Sequence, residues 1–158
     1  MFKKIIDQIH NELLQQQKTI SLAESCTGGL LASLLTSQPG SSRYFLSCIV
    51  TYSNKSKETL LAIPAKTIIK YGSVSSNVAK LMAKNIRKKT KPDLGLSITG
   101  IAGPSGATIN KPVGLVFICL SYKNKNICRA FNFKGNRQNI RKKSTQEALR
   151  LLCAHLSQ

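Results

Sequence analysis

At 158 residues and 17.3 kDa, the chain has the length of one domain, and its 42% hydrophobic residues suffice for a real core. Twenty-four Lys and Arg stand against six Asp and Glu, a net charge of +18 with a pI near 10.1, so a nucleic-acid partner is the first expectation from composition. Only Asp7, Glu12, Glu24, Glu58, Asp93 and Glu147 are acidic. That supply excludes a carboxylate-rich calcium or magnesium cage and most paired-carboxylate catalysis. A mean hydropathy of −0.09 and the lack of a long apolar run exclude a membrane-spanning helix. The opening Met1-Phe2-Lys3-Lys4 reads as the start of a polar helix rather than a signal peptide. Five cysteines, at 26, 48, 119, 128 and 153, are odd in number and form no CxxC pair. Neither a disulfide framework nor a zinc site is expected, and a reduced, cytoplasmic protein is.

In chain order, Phe2, Ile5, Ile6, Ile9 and Leu13 repeat at helical spacing and predict an amphipathic helix over 2–17. A short strand is expected over 19–23. Gly28-Gly29 then opens a compact helix to about residue 37, broken by Pro39-Gly40. Ser41-Ser42 follow in a turn or at a helix start, and 45–52 reads as a buried strand. Ser53 or Asn54 caps a short helix through Leu61, and 64–71 holds another, ended by Gly72. Ser75 caps a helix to about Lys89. An apolar strand over 93–99 runs into Gly100, and 100–112 is a Gly/Pro-rich loop. Strands over 113–122 and 127–133 flank Lys123-Asn124-Lys125-Asn126 as a hairpin. A helix over 136–157 closes the chain. The fold class that follows is α/β: a single three-layer α/β/α domain over 1–158, with a mixed sheet covered by helices on both faces.

Four polar segments sit where strands end and turn, where open α/β sheets build their ligand sites. They are 23–29, 40–42, 51–57 and 99–104. None matches a dinucleotide-binding glycine fingerprint or a phosphate-binding Walker loop. The only histidines, His10 and His155, lie on the terminal helices, which argues against a Ser-His-Asp or Cys-His triad. A serine hydrolase on this chain needs another base, and a buried, neutral lysine can serve, with a tyrosine to relay or hold the proton. Lys57 follows Tyr52 by five residues, so a strand end and a first helical turn can aim both at one pocket.

The strings AESCTGG at 23–29, PGSSRYF at 39–45, VTYSNKSK at 50–57, GSVSSNVAKLMA at 72–83, SITGIAGPSG at 97–106, KPVG at 111–114 and FKGNRQNIRKKSTQEAL at 133–149 together resemble the CinA C-terminal domain family. That family includes stand-alone nicotinamide mononucleotide deamidases. The resemblance implies an amidohydrolase that converts nicotinamide mononucleotide to nicotinate mononucleotide and ammonia, with no metal and no cofactor, in a homo-oligomer (a dimer favoured). It carries a serine–tyrosine–lysine set to Ser42, Tyr52 and Lys57: Ser42 as nucleophile, Lys57 as base, Tyr52 as relay. Ser25 is the rival nucleophile and Cys26 a weaker one. Substrate binding falls to Thr27, Gly28, Gly29, Thr99, Gly100 and Gly103. Backbone N–H groups of the Thr27–Gly29 or Gly100–Gly103 turns are the oxyanion candidates, and Arg137 and Arg141 take the phosphate.

The loop at Ala107-Thr108-Ile109-Asn110 carries less glycine than the family pattern. The larger N-terminal domain of full-length CinA proteins has no counterpart here, which implies a stand-alone enzyme. A second reading, from a different class, is an inactive basic accessory or nucleic-acid-binding module on the same fold. Two basic clusters motivate it: Lys84, Arg87, Lys88, Lys89 and Lys91, and Arg137, Arg141, Lys142 and Lys143. No sequence signature of specific nucleic-acid readout accompanies them, and neither a specific nucleic acid nor a membrane is expected as a partner.

Overall fold

The computed structural model describes residues 2–158. The elements in chain order are α1 (Lys3–Gln15), β1 (Ile20–Glu24), α2 (Leu30–Leu35), a 3₁₀ turn at Ser41–Arg43, β2 (Phe45–Val50), α3 (Asn54–Leu61), α4 (Ala65–Tyr71), α5 (Ser76–Thr90), β3 (Leu94–Gly100), β4 (Leu115–Tyr122), β5 (Lys125–Asn132) and α6 (Arg137–Leu156). The sheet has the order β2-β1-β3-β4-β5. β1 pairs in parallel with both β2 and β3, whereas β4 and β5 run antiparallel. The chain crosses from β1 outward to β2, then returns under the sheet to β3. That reversal leaves a crevice at the carboxyl ends of β1 and β3.

Side chains alternate between the two faces of the sheet. Leu22, Leu96, Ile118 and Leu120 join Ile9 and Leu13 of α1 and Leu149 and Leu152 of α6 in the larger core. Ala23 on the opposite face packs with Val78, Met82 and Ile86 of α5 and Leu61 of α3. The α5 face of β3 is small and polar. A Cβ at Gly95 would come within 2.3 Å of the Ala83 carbonyl oxygen, and Ser97 Oγ donates to the Ala79 carbonyl at 2.7 Å. A glycine is therefore needed for α5 to lie directly against the central strands.

The expected architecture is the observed one, with shorter helical ends. The hairpin turn is only Lys123-Asn124, with Tyr122 opposite Lys125. The exposed polar residues 125 and 126 thus belong to strand β5 and not to a four-residue loop. Polar residues are ordinary on an edge strand with one wet face. No helix among the described residues is long and apolar enough to cross a membrane.

Candidate active site

β1 ends at Glu24, and the next residue, Ser25, stays in the sheet's hydrogen-bond ladder: its N–H donates to the Ile98 carbonyl of β3 at 3.0 Å. On the other side, the Thr51 N–H donates to the Glu24 carbonyl at 2.8 Å. Ser25 is therefore fixed between its two neighbours at the carboxyl end of the sheet, and it is buried.

Directly after β2 the chain turns into α3. Ser53 caps that helix through a reciprocal pair: Ser56 N–H donates to Ser53 Oγ at 3.0 Å and Ser53 N–H to Ser56 Oγ at 3.1 Å. The cap sets the first turn, so that Lys57 faces inward, with 1% of its surface exposed. Its Nζ donates to the Thr51 carbonyl at 2.7 Å and to Ser25 Oγ at 3.0 Å. The two ion pairs among the described residues, Lys55–Glu58 and Glu147–Arg150, leave Lys57 without a carboxylate partner. Burial without a counter-charge disfavours the ammonium and pulls the Lys57 pKa from 10.5 down to about 8. A serine hydroxyl in contact with a readily deprotonated amine is the arrangement that nucleophilic catalysis by serine uses.

The structure does not bring Ser42 to this pair. Ser42 is exposed in the 3₁₀ turn that precedes β2, whereas Lys57 follows β2. The strand between them separates the two by roughly 20 Å, at about 3.3 Å per residue. This corrects the assignment of Ser42 as nucleophile partnered by Lys57. Tyr52 lies at the mouth of the crevice, 58% exposed, and its hydroxyl accepts from Arg137 Nη2 rather than meeting Lys57. Cys26 is buried, and desolvation pushes its thiol up to about 11, far from the thiolate a nucleophile requires. His10 is occupied by the Tyr44 hydroxyl and His155 packs on Tyr122, both away from Ser25.

The 25–29 turn is shaped by glycines in left-handed backbone, Gly28 at φ 58° and Gly29 at φ 92°. Its amides divide into two groups. Gly28 N–H is spent on the Ser25 carbonyl, and Gly29 N–H goes to the Glu24 carboxylate at 2.9 Å. The amides of Cys26 and Thr27 donate to no backbone carbonyl among the described residues, which narrows the oxyanion candidates in this turn to those two. Glu24 itself is fully buried. It also accepts from Ala32 N–H at 2.8 Å and Leu31 N–H at 3.4 Å, and so ties the start of α2 to the residue before Ser25. This role was not visible from the sequence, although Glu24 is one of very few carboxylates and adjoins Ser25.

The remaining predicted residues surround the pair. Thr99 Oγ1, at the end of β3, donates to the Ser73 carbonyl at 2.9 Å, and Gly100 ends the same strand. Arg137 Nη1 donates to the Gly103 carbonyl at 2.7 Å, so its guanidinium bridges the loops that follow β2 and β3. Arg141 Nη2 donates to the Thr27 carbonyl at 2.7 Å. Among the described residues, three of the four buried side-chain polar atoms without a partner lie here: Thr27 Oγ1, Thr51 Oγ1 and Arg141 Nε. Buried polar groups are seldom left unpaired. The described residues contain no cluster of three or more His, Cys, Asp or Glu side chains fit to hold a metal.

Residues 2–156 match the model of the CinA C-terminal domain. The chain belongs to the CinA family. It is 48% identical over 146 residues to a CinA-like protein of Desulfotalea psychrophila, covering 92% of this chain and 35% of that one. Against a CinA-like protein of Endomicrobium trichonymphae the identity is 49%, with 89% and 33% covered. The chain thus spans about a third of the length of these relatives. Among solved structures it superposes on the competence/damage inducible protein of Agrobacterium tumefaciens with a TM-score of 0.95 at 33% identity, covering 99% of this chain and 96% of that one. The competence damage-inducible protein A of Klebsiella pneumoniae gives 0.94 at 25% identity, with 98% and 96% covered. The family resemblance and the three-layer architecture read from the sequence both hold.

Proposed function

We propose that the chain hydrolyses the carboxamide of nicotinamide mononucleotide to nicotinate mononucleotide and ammonia, with Ser25 as nucleophile and Lys57 as base. The observation that carries this reading is the buried Lys57 Nζ, without a carboxylate partner, 3.0 Å from Ser25 Oγ. The neutral amine takes the Ser25 proton as Oγ attacks the carboxamide carbon. The N–H groups of Cys26 and Thr27 are the donors for the developing oxyanion. Lys57, now an ammonium, returns its proton to the departing nitrogen and ammonia leaves an acyl ester on Ser25. Water, deprotonated by the same amine, attacks the ester carbon; the acyl–Oγ bond breaks, Lys57 returns the proton to Ser25 Oγ, and nicotinate mononucleotide leaves. Neither step requires a metal or cofactor. Arg137 and Arg141 each keep guanidinium N–H groups beyond those bonded to the loops, and these are assigned to the phosphate. Tyr52 becomes a positioning residue, because Arg137 and not Lys57 holds its hydroxyl.

Ammonia release from nicotinamide mononucleotide, with chelator present and with nicotinamide and NAD as controls, tests the reading. Ser25→Ala abolishes turnover while Ser42→Ala retains it. Loss of turnover in Ser42→Ala with Ser25→Ala active refutes the assignment. No turnover by the wild type at high enzyme concentration refutes the amidase reading and favours the inactive accessory module. We further infer self-association through β2, an unpaired edge strand with Leu46 and Val50 exposed. Sedimentation equilibrium reads a dimer, and Leu46→Lys shifts it to monomer.

A further inference from the structure

A second cavity, of about 550 Å³, opens at the opposite end of the sheet, between the last turns of α5 and the β4–β5 hairpin. α5 supplies Lys84, Arg87 and Lys88, its C-cap supplies Lys91, and the hairpin supplies Lys123 and Lys125. No carboxylate lines it, and neither ion pair among the described residues involves it. Lys84 and Lys88 stand four apart on one helix, a spacing at which like charges repel. Basic residues near a helix C-terminus are ordinarily explained by its exposed carbonyls. Here Arg87 meets carbonyls, those of Pro92 and Lys123, while the five lysines surround open space.

The walls are also fixed in place. Lys123 holds a left-handed backbone, φ 47°, where glycine or asparagine is the usual choice. Its carbonyl is clamped by Arg87 Nη1 at 2.5 Å, which locks the hairpin tip against α5. A cleft of this volume is ligand-sized. Its lining has no aromatic side chain on which a base could stack, so the phosphate groups themselves are what it can recognise.

We propose that this cleft is a binding site for a compact polyphosphate anion, a ligand with three or more phosphates in a row, distinct from the Ser25 crevice. An inorganic oligophosphate and the polyphosphate arm of a nucleotide share that chemistry. Isothermal titration with inorganic tripolyphosphate tests the proposal. The wild type binds one equivalent, and the variant K84Q/K88Q/K125Q binds at least tenfold more weakly. The charge-matched variant K3Q/K4Q/K66Q, altered at exposed lysines elsewhere, stays within twofold of the wild type. Circular dichroism confirms that both variants are folded, and the cleft variant retains the wild-type rate of ammonia release.

Titration with ATP and AMP separates the two sources. ATP binding within threefold of tripolyphosphate, with AMP far weaker, supports a site that reads phosphates alone. ATP at least tenfold tighter shows that the nucleoside is read and overturns that statement. Equal weakening in both triple variants, or no saturable binding, shows only the diffuse attraction of a basic surface and overturns the site. A mixed-sequence single-stranded oligonucleotide that binds the same lysines at least tenfold tighter than tripolyphosphate overturns the compact ligand in favour of a nucleic-acid backbone.

Discussion

Replacing Lys57 with methionine separates the cost of the base from its use. The pKa gap between 10.5 in the unfolded chain and about 8 in the folded one corresponds to about 3 kcal/mol, at roughly 1.4 kcal/mol per pH unit. The sign follows from proton counts. Between pH 8 and 10.5 the unfolded chain holds a proton on Lys57 that the folded chain has released. Stability therefore rises with pH across that window, and the gain is lost as pH falls back through 8. Lys57→Met keeps the apolar stem and removes the titration. It also leaves the Thr51 carbonyl without its 2.7 Å donor, a loss of roughly 1–3 kcal/mol for a buried acceptor. At pH 7 the loss offsets part or all of the gain, so the variant is between equal to the wild type and roughly 2 kcal/mol more stable, while its turnover falls by roughly 10³-fold or more. Urea denaturation followed by circular dichroism, on both proteins from pH 7 to 10.5, reads the difference directly. Titrations common to both chains drop out of it. The wild type gains about 3 kcal/mol on the variant across the window. A difference that stays flat with pH shows that Lys57 titrates alike folded and unfolded, and refutes its role as a base made ready by burial.

Three further outcomes follow from the site. Arg137→Ala and Arg141→Ala each raise KM for nicotinamide mononucleotide more than they lower kcat in steady-state assays, as loss of ground-state phosphate binding requires. A larger fall in kcat shows a transition-state role instead. Glu24→Gln places an amide donor against the N–H groups of Gly29 and Ala32 and destabilises the fold by roughly 2–3 kcal/mol, read calorimetrically as a fall of roughly 5–10 °C in Tm. Cys128 sits opposite Cys119 across β4 and β5, and a hydrogen bond from that neighbour lowers its thiol below the usual range. Iodoacetamide at pH 7 therefore alkylates Cys128 ahead of Cys26 and Cys48, whose thiols burial pushes up to about 11 and about 12. Peptide mass spectrometry of the native protein checks the order.

The elements were legible because their signals are local. Ser53 and Ser75 announce helix starts by residue type, and both accept a hydrogen bond from an N–H of the following turn. The need for a lysine base was legible by elimination, since histidine and carboxylate are scarce, and Lys57 by its place five residues after Tyr52. Its partner was not, because the choice between Ser42 and Ser25 depends on which ends of the strands come together. In a parallel pair the residues that meet are those that follow both strands. Ser25 follows β1 as Lys57 follows β2, whereas Ser42 precedes β2. The Thr51 carbonyl left no trace at all, because a backbone acceptor has no residue signature. Glu24 reaches forward five to eight residues to cap α2, farther than the spacing by which caps are read. The net charge of +18 pointed first to a nucleic-acid partner, because composition carries a sign and no position.

The ladder that continues past the strand ends sets two clocks for the crevice. The amide of Ser25 is bonded to the Ile98 carbonyl between the interior strands β1 and β3, so its hydrogen exchange waits on opening of the sheet. Residues 104–110, exposed and held mainly by a single bridge between Thr108 and Lys111, exchange through local opening that leaves the sheet intact. The strand end that carries Ser25 thus opens only with the fold, while the 104–110 loop opens on its own faster schedule.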